Sequence, residues 1–188
     1  IGTGDLSSSL LVDNVTSAKI ICREKAIICG IDYSDLCFST LDPDILINWK
    51  IKEGDEVTPG YVICHLKGKS QAIISAERTA LNFLQTLSGT ATQTKHLVDM
   101  IKHTNAKLLD TRKTIPNLRY AQKYAVKCGG GVNHRMGLFD CVLLKENHIL
   151  SIGSLEKSIE KALLEFPNKP VIVEVESFDQ LKKALLIK

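Results

Sequence analysis

Apolar residues recur along this chain with two different periods, and the change between them divides it. Short Ile- and Val-rich runs at residues 17–23, 25–30, 45–51, 60–66 and 69–75 are bounded by the Gly54-Asp55 and Pro59-Gly60 turns, the pattern of strands. Residues 32–41 between them read as a helix. From about Ser75 to His103 the period becomes helical. Ala80, Leu84, Leu87, Ala91, Val98 and Ile101 fall three or four apart on one face, with Arg78, Asn82 and Gln85 as a polar stripe opposite. Gly89 leaves two arrangements open: one long helix, or two meeting at Ser88-Gly89.

Beyond residue 104 strand and helix alternate. Lys107–Leu109 reads as a strand, then a helix opened by Pro116 and closed by Gly129, with Leu118, Ala121, Ala125 and Cys128 facing inward. Cys141–Leu144, a helix at 155–165, Val171–Val175 and a helix at 178–187 follow. Apolar strands alternating with amphipathic helices predict a parallel sheet covered by helices. The expected architecture is α/β: a mixed α+β N-terminal domain over residues 1–104, including the long helix, then an incomplete parallel α/β barrel over 105–188. Three βα units neither close a barrel nor cover the edges of an open sheet, so the pattern predicts a fragment whose C-terminal strands are absent.

Composition narrows the function classes. A chain of 188 residues that is 44% hydrophobic and 24% charged has the makings of a packed core, not of a disordered or fibrous protein. Twenty-four Lys and Arg against 21 Asp and Glu leave a net charge of +3, too little to argue for nucleic acid or a membrane surface. No apolar run approaches the ~18 residues of a membrane span, and no leader-like segment opens the chain, so a cytoplasmic protein is expected. The chain opens at Ile1 rather than Met, which leaves room for sequence ahead of it. Six cysteines lack a C-x-x-C pair and sit largely in apolar runs such as Ile20-Ile21-Cys22 and Val62-Ile63-Cys64. They read as small buried hydrophobes, and no metal site is expected from them.

Functional side chains of α/β folds stand just past the C-terminal ends of the parallel strands. Those positions hold Asp110-Thr111-Arg112-Lys113, Lys145-Glu146-Asn147-His148 and Glu174-Val175-Glu176, with Gly129-Gly130-Gly131-Val132-Asn133-His134-Arg135 between the first two. Arg119, Lys123 and Lys127 fall on the outer side of their helix and read as a solvated face. Arg112, Lys113, Arg135 and Lys145 are expected at one mouth, where like charges repel unless an anion is bound. Arg forks bind carboxylates and phosphates bidentately. The triple glycine reads either as a flexible loop or as a close backbone approach to a ligand, and His134 either as a polar ligand contact or as a structural histidine. Glu174 at its strand end suits ribose hydroxyls, a Mg2+-bound water, or the counter-charge of its cationic neighbours. His65, His96, His103 and His148 show no metal-ligand spacing.

Several segments together resemble one family. Ser75-Ala76-Glu77-Arg78-Thr79-Ala80-Leu81-Asn82, Leu87-Ser88-Gly89-Thr90-Ala91-Thr92, Asp110-Thr111-Arg112-Lys113-Thr114, Gly129 to Arg135, Leu144-Lys145-Glu146-Asn147-His148 and Val173-Glu174-Val175-Glu176 are similar to quinolinate phosphoribosyltransferase, as is the opening Gly2-Thr3-Gly4-Asp5. The resemblance spans the chain. It implies transfer of phosphoribose from phosphoribosyl pyrophosphate to quinolinate with loss of CO2, giving nicotinate mononucleotide and pyrophosphate for NAD biosynthesis, with Mg2+ accompanying the donor. It implies that Arg112, Arg135 and Lys145 bind the quinolinate carboxylates, with His134 and Thr111 beside them, that Lys113 contacts phosphate, and that Glu174 holds the ribose hydroxyls and metal-bound donor. Lys113, Lys145 and Glu174 are then the catalytic set. Arg78 falls where the family reaches into a neighbouring subunit's site, so a homodimer is implied. The family continues past this chain with another acidic strand end and a Ser/Gly-rich phosphate loop, and a protein ending at Lys188 is expected not to turn over.

Two rivals remain. A related phosphoribosyltransferase-like family of molybdate-transport gene clusters shares the architecture, though the complete D-T-R-K-T and N-H-R set favours quinolinate. Lys50-Ile51-Lys52-Glu53-Gly54-Asp55-Glu56-Val57 through Leu66 looks like half of a biotinyl or lipoyl carrier barrel, but offers no Met-Lys-Met.

Overall fold

Alternation in the first third of the chain builds a small antiparallel sheet. In the computed structural model, which describes residues 1–187, β1 (Val15–Ile21), β3 (Leu46–Trp49) and β5 (Val62–Lys69) pair in the order β1-β5-β3. β2 (Ala26–Ile27) and β4 (Glu56–Val57) form a separate two-stranded ribbon. Period-two burial along β5 turns Ile63, Cys64, Leu66 and Gly68 inward. They join Phe38 of α1 (Ile31–Leu41) in the core. Lys67 and Lys69 lie within β5, the central strand, paired to β1 and β3 on either side. No hairpin presents a lysine there, so the segment is a structural part of this sheet, not a carrier module.

Of the 69–75 run only Lys69 is strand; residues 70–75 are helix. α2 is one continuous helix, Ser70–Ile101, through Ser88 and Gly89. Ile73, Ala76, Ala80, Leu84, Leu87 and Ala91 form its buried stripe; the helix starts at Ser70, ahead of Ser75, and this stripe outweighs the strand propensity of Ile73-Ile74. Burying each large apolar side chain of such a stripe contributes roughly 1.5–3 kcal/mol. Small polar residues on α2 satisfy the adjacent backbone. Ser88 Oγ accepts from Cys29 N at 2.9 Å and donates to Cys29 O at 3.1 Å, and Thr92 Oγ1 accepts from Ile27 N at 2.9 Å. Ser88 and Thr92 of the L-S-G-T-A-T segment thus serve the fold.

Two compact units divide the described chain, Ile1–Asn133 and the remainder from His134. In the first, α3 (Arg119–Cys128) packs on α2 through Ala121 and Ala125, beside Ala91 and Leu87. Pro116 heads a turn instead of the first helical turn. Asn117 there adopts φ +62, and α3 begins only at Arg119. Gly129 closes α3 as expected, and for a packing reason. A Cβ at Gly129 would stand 2.3 Å from Ala91 O and 2.6 Å from Thr94 Cβ, both on α2. Gly129→Ala is expected to destabilise the fold by about 1–3 kcal/mol, the range for overpacking, read as a lowered midpoint in denaturant. Gly89→Ala is the control, because a Cβ there meets nothing within 4 Å.

The Lys107–Leu109 strand shrinks to a parallel bridge between Leu109 and Val132. In the second unit β6 (Val142–Leu144) and β7 (Val171–Val173) pair in parallel, with Leu144 opposite Val173. α4 (Glu146–Ile152) leaves β6 directly, a short helix the strand-helix reading passed over. α5 (Leu155–Glu165) and α6 (Phe178–Leu186) follow their predicted ranges within a residue or so. Leu144, Leu155, Ile159 and Ala162 make this unit's own core. Among the described residues no helix is long and apolar enough to cross a membrane.

Candidate active site

In the first unit the parallel bridge sets the start of the site. Val132 N donates to Leu108 O at 2.9 Å, and Asp110 N donates to Val132 O at 3.2 Å. The chain then leaves the sheet as Asp110-Thr111-Arg112-Lys113. Asp110 accepts a short charge-assisted bond from Lys123 Nζ of α3, with the Lys123 side chain only 1% exposed and that of Asp110 7%. Asn133, with its amide nitrogen turned inward, donates to Asp110 Oδ2 at 2.9 Å and to Lys123 O at 2.8 Å. The buried pair joins the bridge, α3 and the end of the glycine run. Lys123 is therefore no part of a solvated face. The count by helical position put it outside, but a helix covered on two sides buries both.

On this anchor sits a tight turn. Lys113 N donates to Thr111 Oγ1 at 3.0 Å, and Arg112 O accepts from Thr114 N at 3.0 Å and from Arg119 Nη2 at 3.4 Å. Thr111 and Lys113 are exposed and Arg112 is half-buried. Arg112 Nε is buried without a hydrogen-bond partner. A buried donor left without a partner costs about 1–3 kcal/mol. Arg78 stands exposed on α2.

In the second unit the register of β6 and β7 places Lys145 and Glu174 side by side past their strand ends. Lys145 Nζ meets Glu174 Oε2 at 3.0 Å, both about half exposed, and Glu174 N donates to Leu144 O at 2.9 Å. Lys145 also starts α4, and its backbone N donates to His148 Nδ1 at 3.0 Å. His148, to which the spacing assigned nothing, thus fixes the backbone of Lys145. His134 and Arg135 are half-buried ahead of a loop tied by Asp140, whose carboxylate accepts from Met136 N at 2.6 Å and Gly137 N at 3.1 Å. Among the described residues Arg112, Lys113 and Arg135 form no ion pair with a carboxylate.

Arg112 and Lys113 past the parallel bridge, and the Lys145–Glu174 pair past β6 and β7, place charged side chains where α/β proteins carry their functional groups. Comparison with known proteins narrows the class. The descriptions "Quinolinate phosphoribosyl transferase, N-terminal domain" and "C-terminal domain" match residues 5–88 and 90–188, and the chain belongs to this family. It is 40% identical over 187 residues to the probable carboxylating nicotinate-nucleotide pyrophosphorylase of Bacillus subtilis, covering 98% of this chain and 65% of that protein. Among solved structures it is similar to the nicotinate-nucleotide pyrophosphorylase of Francisella tularensis, with a TM-score of 0.97, 50% identity and coverage of 98% of this chain and 66% of that one. It is also similar to NadC from Streptococcus pyogenes, with a TM-score of 0.92, 37% identity and coverage of 96% and 65%. The mixed α/β two-domain fold is the one these structures share. The chain spans a little under two thirds of their length. The family's two domains meet at residues 88–90, inside α2, so one helix belongs to both.

Proposed function

We propose that this chain supplies the quinolinate-binding part of a decarboxylating quinolinate phosphoribosyltransferase, which makes nicotinate mononucleotide, pyrophosphate and CO2 from quinolinate and phosphoribosyl pyrophosphate for NAD biosynthesis. The observation that carries this is Arg112, a half-buried guanidinium with an unsatisfied Nε and no carboxylate partner among the described residues. Arg112, Arg135 and Lys145 hold the two carboxylates, with Thr111 and His134 completing the polar contacts. Lys113 contacts phosphate, and Glu174 orients the ribose hydroxyls. Mg2+ accompanying the pyrophosphate donor would offset negative charge on the leaving group. Of this chain, Glu174 has the hard oxygen such an ion takes, already balanced by Lys145 at 3.0 Å.

The residues account for the chemistry without a covalent intermediate. Quinolinate is a dianion and its partner is more negative still, so bringing them together takes fixed cations in a closed site. As pyrophosphate leaves, the ribose carbon gains oxocarbenium character, and the ring nitrogen attacks it. The positively charged ring that results stabilises the electron pair left on the ring carbon as its carboxylate departs as CO2, and a proton from solvent is taken up there.

In the whole protein, residues 105–188 form the first part of a parallel barrel that later strands complete, following a domain of residues 1–104. Arg78, exposed and on the outer face of α2, reaches the neighbouring subunit's site in a homodimer, and the protein works in the cytoplasm. Exposure of the Lys145–Glu174 pair separates role from stability. Glu174→Gln is expected to change stability by under about 1 kcal/mol, as for exposed pairs, yet to lower kcat for phosphoribosyl transfer at least tenfold in the full-length enzyme. A steady-state assay beside a thermal melt measures both; unchanged turnover removes Glu174 from the mechanism.

A further inference from the structure

Three side chains that the proposed reaction does not use meet inside the first unit. Cys29 follows β2, Glu53 lies in the loop ahead of β4, and Cys128 ends α3. Cys29 Sγ, Cys128 Sγ and a Glu53 carboxylate oxygen all lie within 4.8 Å of one another. Residues 99 positions apart form the thiol pair, so no spacing along the chain announces it. Neighbouring groups fix the chain at each ligand. Cys29 is wholly buried, its N–H and carbonyl both bound to Ser88 Oγ. Glu53 accepts from Gly30 N at 2.9 and 3.1 Å and from Ile31 N at 2.7 Å, at the start of α1. Cys128 stands beside Gly54, where a Cβ would lie 3.6 Å from Cys128 O.

From this geometry we propose that Cys29, Glu53 and Cys128 form a binding site for a zinc-class divalent cation. Thiolate sulfur and carboxylate oxygen are both donors that zinc takes. A tetrahedral site with metal–sulfur arms of ~2.3 Å places its ligands about 3.8 Å apart, so these three need close by no more than about 1 Å. Binding releases one proton from each thiol to solvent and leaves two thiolates and a carboxylate around a 2+ ion. The net single negative charge faces the Gly30 and Ile31 N–H groups and the positive end of α1, which favour it. Of the three, Glu53 also lines a cleft of about 240 Å3, with Gly30, Asp32, Tyr33, Tyr120 and Tyr124, from which an ion would reach the site. The same thiols suit peroxide sensing poorly. Burial raises the pKa of both Cys29 and Cys128, whereas reactive cysteines are low-pKa thiolates.

The test titrates Cd2+, a sulfur-seeking stand-in, into the reduced, metal-free full chain and follows the sulfur-to-cadmium charge-transfer absorption. The expected result is saturation at one Cd2+ per chain, with Zn2+ competing. Cys128→Ser, at a half-buried position, is expected to halve the band and weaken binding at least a hundredfold. Cys22→Ser, outside the cluster, is expected to leave both unchanged. Absence of a stoichiometric band in the unsubstituted protein, or a band insensitive to Cys128→Ser, overturns the proposal. So does a Cys29–Cys128 disulfide whose reduction restores no cadmium binding. The readout is independent of quinolinate binding, so its failure leaves the proposed function standing, and the reverse holds too.

Discussion

Lys123→Met is expected to cost the fold about 3–5 kcal/mol, the penalty for leaving one member of a buried ion pair alone. Lys123 and Asp110 are 1% and 7% exposed, so neither finds water when its partner is removed. Methionine keeps most of the apolar length of the lysine side chain, which confines most of the loss to charge. Asp110 then keeps its charge in the interior without the Lys123 ammonium, at the head of the Thr111-Arg112-Lys113 turn. The effect reaches the site as well as the core, because Asn133 bonds both Asp110 and the Lys123 carbonyl. The double variant Lys123→Met with Asp110→Leu removes both charges and is expected to recover more than half of the lost stability, since a buried pair replaced by apolar groups of similar volume is often neutral. Chemical denaturation of the two single variants and the double variant measures this. A Lys123→Met loss under 1 kcal/mol would show that the pair is solvated and does not anchor the turn.

Arg112→Ala, and separately Arg135→Ala, are expected to weaken quinolinate binding at least tenfold, or about 1.4 kcal/mol. Each charge-assisted hydrogen bond to a carboxylate is worth roughly 1.5–3 kcal/mol, so a tenfold loss is the lower bound for one lost contact. Stability is expected to change little, and at Arg112 to rise slightly, because the substitution removes a buried Nε that lacks a partner. This opposition of sign distinguishes a ligand-binding arginine from a structural one: the structural residue loses stability on truncation, while the binding residue loses only the ligand. Lysine at either position is expected to recover part of the affinity, since it restores charge without the planar fork.

Much of this was legible in the sequence, unevenly and for physical reasons. Helices α1, α5 and α6 follow from strong apolar periodicity with clear ends. The strand ends that present Lys145 and Glu174 follow from a simple rule of α/β folds, and the structure sets the two side chains in contact. What failed was local pattern without tertiary context. Ile73 and Ile74 favour a strand until the stripe of α2 claims Ile73. Lys123 counts as solvent-facing on a helix wheel, yet a carboxylate 13 residues earlier in the chain meets it in the interior. A signal was present in hindsight: Asp110 and Asp140 are the only acidic residues between 107 and 145, and an acid so placed among cations needs a partner. The Cys29–Glu53–Cys128 cluster carried no such signal, since three distant segments meet there only after folding.

Isothermal titration of quinolinate and of nicotinate into the full-length protein tests the central claim most directly. A site in which Arg112, Arg135 and Lys145 share two carboxylates should bind the diacid and reject the monoacid at least tenfold, because nicotinate offers one carboxylate fewer to those cations. Equal affinity for the two acids, or no heat with quinolinate, contradicts it.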